Sequence, residues 1–416
     1  MLQTTLSKNI LKVFSSNSIH LVLSLINSIL ISRFLGVENR GAYVLLSSNI
    51  LLLTYILGFG HTTTIVFFRA KSKSIGQIMF TTSLIFITTS SSLIILLFYL
   101  LFQYTEYEFI SAFLPKNIDF ILLIAICYLG LTFNLVLGVT SSLFTAQKKF
   151  MELNISKIIG QVSLVFSIII LSSFSTNINN NTALALLILI PIVAQLVPFI
   201  IRLNFFIPKT IFSFKALKSM ILWGGVAYIG GIAQFLSFKL DYWFIEYYLG
   251  GSSLGIYSLS SSLAQMLWFI PASIGSVIFP SFINISNLEK RNKTIKIVKL
   301  TSVISVFIAI VVYFFSDFTI NLVYGLEYRE SAKYLKILLI GCVPYAISPI
   351  IASYFLSKNL LKYNLAASFF GFLVSLILDI YFIPKYGLTG AAWTTALSYF
   401  STTVFVLFYF FRLERK

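Results

Sequence analysis

Residues 230–257 read GGIAQFLSFKLDYWFIEYYLGGSSLGIY, and two features of this stretch decide the fold. Its first two-thirds lie in a long apolar segment that nevertheless carries Lys239, Asp241 and Glu246. A charge near the middle of a membrane-spanning helix costs about 2.5–3.5 kcal/mol on insertion scales, so such residues face a cavity or a partner. Its last third, Leu249-Gly250-x4-Gly255-x-Tyr257, also occurs 214 residues earlier as Leu35-Gly36-x4-Gly41-x-Tyr43. A chain of 416 residues that repeats itself at about half its length reads as a duplication. The stretch opens the second copy.

Composition sets the class. The chain is 58% apolar and 10% charged, where a soluble domain has about a quarter of its residues charged. A spanning helix needs roughly 20 consecutive apolar residues, and this chain supplies many such runs. The 42 Phe and 22 Tyr suit lipid contact and membrane interfaces. Cys127 and Cys342 both fall inside apolar runs, where a thiol packs as a small hydrophobe.

Working outward, twelve apolar segments are predicted at 10–34, 42–68, 76–102, 119–145, 154–174, 182–206, 219–248, 256–282, 297–316, 333–356, 364–383 and 389–411. They read as helices, because lipid-exposed backbone must satisfy its hydrogen bonds within its own segment. The runs are continuous and lack the alternation of a transmembrane barrel. The fold class is therefore an all-α polytopic membrane protein of about twelve transmembrane helices. Two six-helix bundles are expected, 1–212 and 213–416. Six spans separate the two LGx4GxY copies, so the halves share one orientation. A second echo pairs FTAQKKFMELN (144–154) with YFLSKNLLKYN (354–364). Gly36 and Gly250 are expected to end helices in left-handed caps, and Gly41 and Gly255 to ease the following turn.

Most of the 30 basic residues fall in the loops that are cytoplasmic if the N-terminus is. The positive-inside rule then places both termini in the cytoplasm. Topology accounts for the net charge of +17, so nucleic acid is not an expected partner.

In the first segment Asn17, His20, Ser24 and Asn27 form one helical stripe. Adding 214 maps His20 onto Gln234 and Asn27 onto Asp241. Matching stripes are expected where two repeat-related helices line one cavity. Interhelical hydrogen bonding, worth only ~0.6 kcal/mol on average in membranes, is the competing reading for Asn17, Ser24 and Gln234. Lys239 lies about 200° around an ideal helix from Asp241 and shares a face with Glu246. Either Asp241 faces the cavity while Lys239 and Glu246 meet a neighbouring helix, or the helix unwinds after Gly230-Gly231. Arg33 and Asp379 sit near predicted outer helix ends and are expected to snorkel to water. The chain shows no HExxH and no Walker loop, so neither an enzyme nor an ATP-driven pump is indicated, and no cofactor is expected. What remains is a secondary transporter or a passive flippase.

RFLGVENRGAY (33–43), the stretch KLDYWFIEYYLGGSSLGIYSLSSSLAQMLWFIPASIGSVIFP (239–280) and IPKYGLTGAAW (383–393) resemble Wzx-type polysaccharide flippases. That family belongs to the superfamily that also holds the MATE multidrug exporters. The resemblance implies a V-shaped pair of helical bundles in the bacterial inner membrane. It implies translocation of an undecaprenyl-pyrophosphate-linked oligosaccharide among membrane lipids for O-antigen or capsule synthesis. Coupling to protons or sodium is implied as well, with a polysaccharide polymerase and a chain-length regulator as partners. The family's basic-x-acidic motif falls on Lys239 and Asp241, and its Arg before the first LG falls on Arg33. His20, Asn27, Gln234 and these three make up the expected substrate path. An ion-coupled drug exporter and a membrane-bound polysaccharide-modifying enzyme are the alternatives.

Overall fold

The helices of this protein follow from one constraint: in hydrocarbon, a backbone that pairs with itself is the only inexpensive backbone. In the computed structural model, residues 2–104, 115, 119–173, 179–202, 212–282 and 285–413 are described, and all regular structure among them is helical. The first helix, α1 (Leu2–Leu57), would be roughly 84 Å long if straight at 1.5 Å per residue, far more than a bilayer's ~30 Å core. It is broken at Gly36, so it makes two passages. The second passage continues into α2 (His61–Lys71). Four more complete the first half: α3 (Lys73–Tyr104), α4 (Phe120–Ala146), α5 (Phe150–Ser173) and α6 (Asn180–Arg202).

The seventh passage is α7 (Phe214–Leu249), a continuous helix through Gly230-Gly231, so the expected alternative of local unwinding does not occur. The eighth is interrupted: α8 (Gly251–Gln265), a 3-10 turn at Met266–Trp268, then α9 (Phe269–Phe282). Next come α10 (Asn287–Val323) and the pair α11 (Ser331–Tyr345) and α12 (Ser348–Ser357). Pro344 near the end of α11 and Pro349 at the start of α12 explain that break, since proline lacks an N–H and suits a helix start. The last helix, α13 (Leu361–Leu413), doubles like α1, with its break at Gly387. Eight helical stretches among the described residues are long and apolar enough to cross a membrane, and two of these, 18–57 and 361–413, hold two passages each. With α7 and the broken α8–α9 passage, the twelve expected spans are all present.

The duplication is visible in backbone detail. The α4–α5 and α12–α13 connections are the same three-residue turn. Lys148 and Asn359 share φ 58. Lys149 N–H donates to Phe144 O (3.0 Å), and Leu360 N–H donates to Phe355 O (2.8 Å). These pairs are offset by 211, one more than the sequence echo suggests.

The glycines of the LGx4GxY copies differ from expectation. Gly36 (φ 70, ψ −176) and Gly250 (φ 81, ψ 174) do not adopt left-handed helical caps. They occupy the positive-φ extended region, which only glycine enters at low cost. Gly41 and Gly255 are not turn residues either. A Cβ on Gly41 would lie 2.0 Å from Gly251 O, and one on Gly255 would lie 2.0 Å from Val37 O. Each is bare so that the other copy's backbone can touch it.

By packing, residues 23–35 and 42–232 form one compact unit, and residues 1–22, 36–41 and 233–416 the other. The first unit's core gathers Leu46, Ile50, Leu131, Leu135, Ile188 and Met220. The second's includes Ile278, Phe282, Ile350, Tyr354, Phe355 and Phe410.

Candidate functional site

Asp241 on α7 is 2% exposed. Its Oδ2 accepts hydrogen bonds from the Tyr257 hydroxyl (2.6 Å) on α8 and the Thr395 hydroxyl (2.9 Å) on α13. Its Oδ1 has no hydrogen-bond partner among the described residues. The Tyr257 oxygen also lies 3.3 Å from the Ala391 carbonyl oxygen, so a main-chain oxygen joins the group. The helix geometry explains the gathering. Ala391 and Thr395 are one turn apart on α13, and Asp241 and Tyr257 come from the two helices that flank Gly250.

A second carboxylate belongs to this cluster. Asp379, near the end of the first passage of α13, is fully buried. It accepts from the Ser375 hydroxyl (3.0 Å) and from the Thr394 hydroxyl (2.5 Å). The expectation that Asp379 snorkels to water is therefore wrong. The chain turns back at Gly387 and lays Thr394 over the carboxylate, replacing water with a hydroxyl. Consecutive threonines, Thr394 and Thr395, thus hold the two aspartates.

No lysine, arginine or histidine among the described residues forms a salt bridge with either carboxylate. Lys239 is engaged elsewhere. Its Nζ donates to the Tyr242 hydroxyl at 2.7 Å and lies 4.2 Å from that ring's centroid. Tyr242 in turn packs edge-on against Tyr257, with centroids 6.1 Å apart. An isolated carboxylate is very costly in a low-dielectric interior. Two buried carboxyls ringed by hydroxyl and carbonyl oxygens suit a proton or a hard cation, because hard cations take oxygen ligands. Transition metals are not suggested, since no group of three His, Cys, Asp or Glu suited to a metal occurs among the described residues.

The other predicted residues fall as follows. Gln234 donates to the Tyr345 hydroxyl (2.9 Å) and accepts from the Ser368 hydroxyl (2.9 Å). Asn27 is buried in the first unit, where its Nδ2 donates to the Gln161 carbonyl (3.0 Å) and to the Gln161 side chain. His20 is half-buried and Arg33 exposed. The Asn17 side chain lies outside the described residues. Gln234, Lys239 and Asp241 therefore share α7 but engage three different sets of partners. Sequence reading missed Asp379, Tyr257, Thr394 and Thr395 as site residues. An acidic residue in LVSLILDIYF was a signal for Asp379, and Tyr257 closes the repeated LGx4GxY motif; the two threonines gave none.

Comparison with known proteins supplies the context. The chain is 26% identical over 258 residues to a Shigella flexneri protein named "Putative O-antigen transporter", covering 61% of this chain and 60% of that one. It is 25% identical over 214 residues to an uncharacterized membrane protein of Methanocaldococcus jannaschii, covering 49% and 41%. A Haloferax volcanii protein named "Probable low-salt glycan biosynthesis flippase" is 24% identical over 197 residues, covering 46% and 42%. The matches thus span 41–60% of these relatives' own lengths. Among solved structures, the lipid II flippase MurJ in an inward closed conformation superposes with a TM-score of 0.80 at 17% identity, covering 95% of this chain and 87% of that one. A Vibrio cholerae MATE transporter superposes with 0.66 at 14% identity, covering 100% and 98%. The fold is accordingly the one these transporters share. Residues 30–333, well over half of the chain, match the family described as polysaccharide biosynthesis protein, and the chain belongs to that family.

Proposed function

We propose that this protein is a flippase for a lipid-linked oligosaccharide, an undecaprenyl-pyrophosphate glycan, and that cation occupancy of the Asp241–Asp379 site drives its cycle. The observation that carries the coupling is a pair of buried carboxyls, held by hydroxyls alone, joining α7 and α8 to α13. Family membership supports a polysaccharide cargo, and the names of the Shigella and Haloferax relatives support transport rather than catalysis. A polar, anionic headgroup cannot cross hydrocarbon unaided, so a protein must offer it a polar route. Lys239 supplies a point charge for the pyrophosphate; unlike arginine, it can give no bidentate fork. The membrane is the bacterial inner membrane, with both termini on the cytoplasmic side.

The test is complementation of a flippase-deficient strain by Asp241→Asn and Asp379→Asn, with membrane abundance measured in parallel. Asparagine keeps the size and a hydrogen-bonding oxygen but removes the ionisable group. The expected result is loss of surface polysaccharide at near-normal abundance for both variants. Full complementation by both at normal abundance would end the coupling reading.

A further inference from the structure

Beside the carboxylates, the second unit contains an aromatic cluster that the coupling chemistry does not use. Phe238 of α7, Trp268 of the 3-10 turn, Tyr345 of α11 and Tyr399 of α13 bring four rings together. Trp268 lies 4.6 Å from Tyr345 and 4.9 Å from Tyr399 between centroids, and Phe238 lies 5.3 Å from Trp268. Phe238 meets both tyrosines edge-on at 5.7 Å. The tyrosines are buried, whereas Trp268 and Phe238 are half-buried and form the cluster's accessible side.

Two amides edge the rings. Gln234 sits one turn before Phe238 on α7 and is oriented by Tyr345 and Ser368. Gln265 spends its Nε2 on Ser261 (3.0 Å) and the Tyr399 hydroxyl (3.4 Å), which leaves its Oε1 available as an acceptor. Trp268 is fixed by its indole N–H, which donates to the Cys342 carbonyl at 2.8 Å. The eighth passage departs from α-helix at Met266–Trp268, and short 3-10 stretches within a helix often mark functional positions. Here the departure places the tryptophan.

Flat apolar faces bordered by a few oriented amides are how proteins hold a ring that is apolar on its faces and polar on its rim. We propose that this cluster is a sugar subsite. A pyranose ring of the cargo stacks its C–H face on Trp268 and Phe238, and its hydroxyls meet Gln265 and Gln234. This rests on the flippase reading above. An isoprenoid tail fits less well, because it would offer no donor to the Gln265 Oε1. A pyrophosphate fits less well too, because the cluster contains no cation and Lys239 is turned to Tyr242. Phe238 precedes Asp241 by three residues and Tyr399 follows Thr395 by four, so sugar and cation would sit about one turn apart on the same two helices.

The experiment titrates the full-length protein in lipid nanodiscs with two probes, followed by native mass spectrometry. One probe is undecaprenyl pyrophosphate without sugar. The other is the undecaprenyl-pyrophosphate oligosaccharide extracted from the source strain lacking this gene. Trp268→Ala and Gln265→Ala are expected to weaken binding of the glycosylated lipid about tenfold, the scale of one good aromatic contact, and to leave the bare lipid unchanged. Trp268→Phe, which keeps a stacking face, should retain most of the affinity. Gln265→Ala removes only an amide, so it tests the subsite even if Trp268→Ala misfolds. Equal weakening for both lipids, or none for either, overturns the subsite while leaving the flippase reading intact. If the unsubstituted protein binds neither lipid, the flippase reading itself falls.

Discussion

Asp241 and Lys239 stand two residues apart on α7, and the structure gives them separate partners. Asp241 joins Tyr257 and Thr395, whereas Lys239 joins Tyr242. Their substitutions should therefore separate. Lys239→Ala is expected to weaken cargo engagement without altering the dependence of transport on the coupling cation. Lys239→Arg should restore transport if a cation alone is needed. Transport assays at varied sodium concentration and pH decide this, and a changed ion dependence in Lys239→Ala would refute the separation. Asn27 makes a different prediction. Its bonds to Gln161 are interhelical contacts of the kind worth about 0.6–1.7 kcal/mol in membranes. Asn27→Ala should lower the unfolding temperature in detergent modestly and still complement. Loss of transport at full stability would place Asn27 on the substrate path.

At the scale of elements, the glycines of the repeated motif are contact points between helices. Gly255→Ala would force a methyl into Val37's backbone carbonyl, and backbone cannot swing aside as a side chain can. Overpacking of this sort costs about 1–3 kcal/mol. Gly225→Ala on α7 has nothing within 4 Å of its Cβ, and alanine is about 1 kcal/mol better than glycine inside a helix. Thermal unfolding of the two variants in one detergent should thus move in opposite directions, down for Gly255→Ala and unchanged or up for Gly225→Ala. A stabilising Gly255→Ala would show that the close approach of the two motifs is dispensable.

For the whole molecule, the charge pattern predicts that the turns at Lys148 and Asn359 lie on one side of the membrane with Arg291 and both termini. Single cysteines at Lys148, Arg291 and Asn359 should resist an impermeant maleimide added outside intact spheroplasts and react after permeabilisation. A cysteine at Glu327 should react from outside. Labelling of Lys148 from outside would invert the orientation. The equivalence of the Lys148 and Asn359 turns makes the pair a control on each other, because duplicated halves of six spans must place both on one face.

The spans, their number, the duplication and the family resemblance were legible in residue order. Length and hydrophobicity answer to the bilayer, and the bilayer reads each segment locally. The repeat was legible because glycines that must be bare stay bare in both copies. Tertiary structure alone decided which polar residues work together. Asp379 looked like a snorkelling residue until the chain turned back at Gly387 and put Thr394 against it. Lys239 was expected to meet a neighbouring helix together with Glu246, and its ammonium instead donates to Tyr242. The two threonines give no sequence signal, since serine and threonine are common throughout this chain and most bond to their own helix. What distinguishes Tyr257, Thr394 and Thr395 is a carboxylate brought to them from far along the chain, and that proximity comes only from packing.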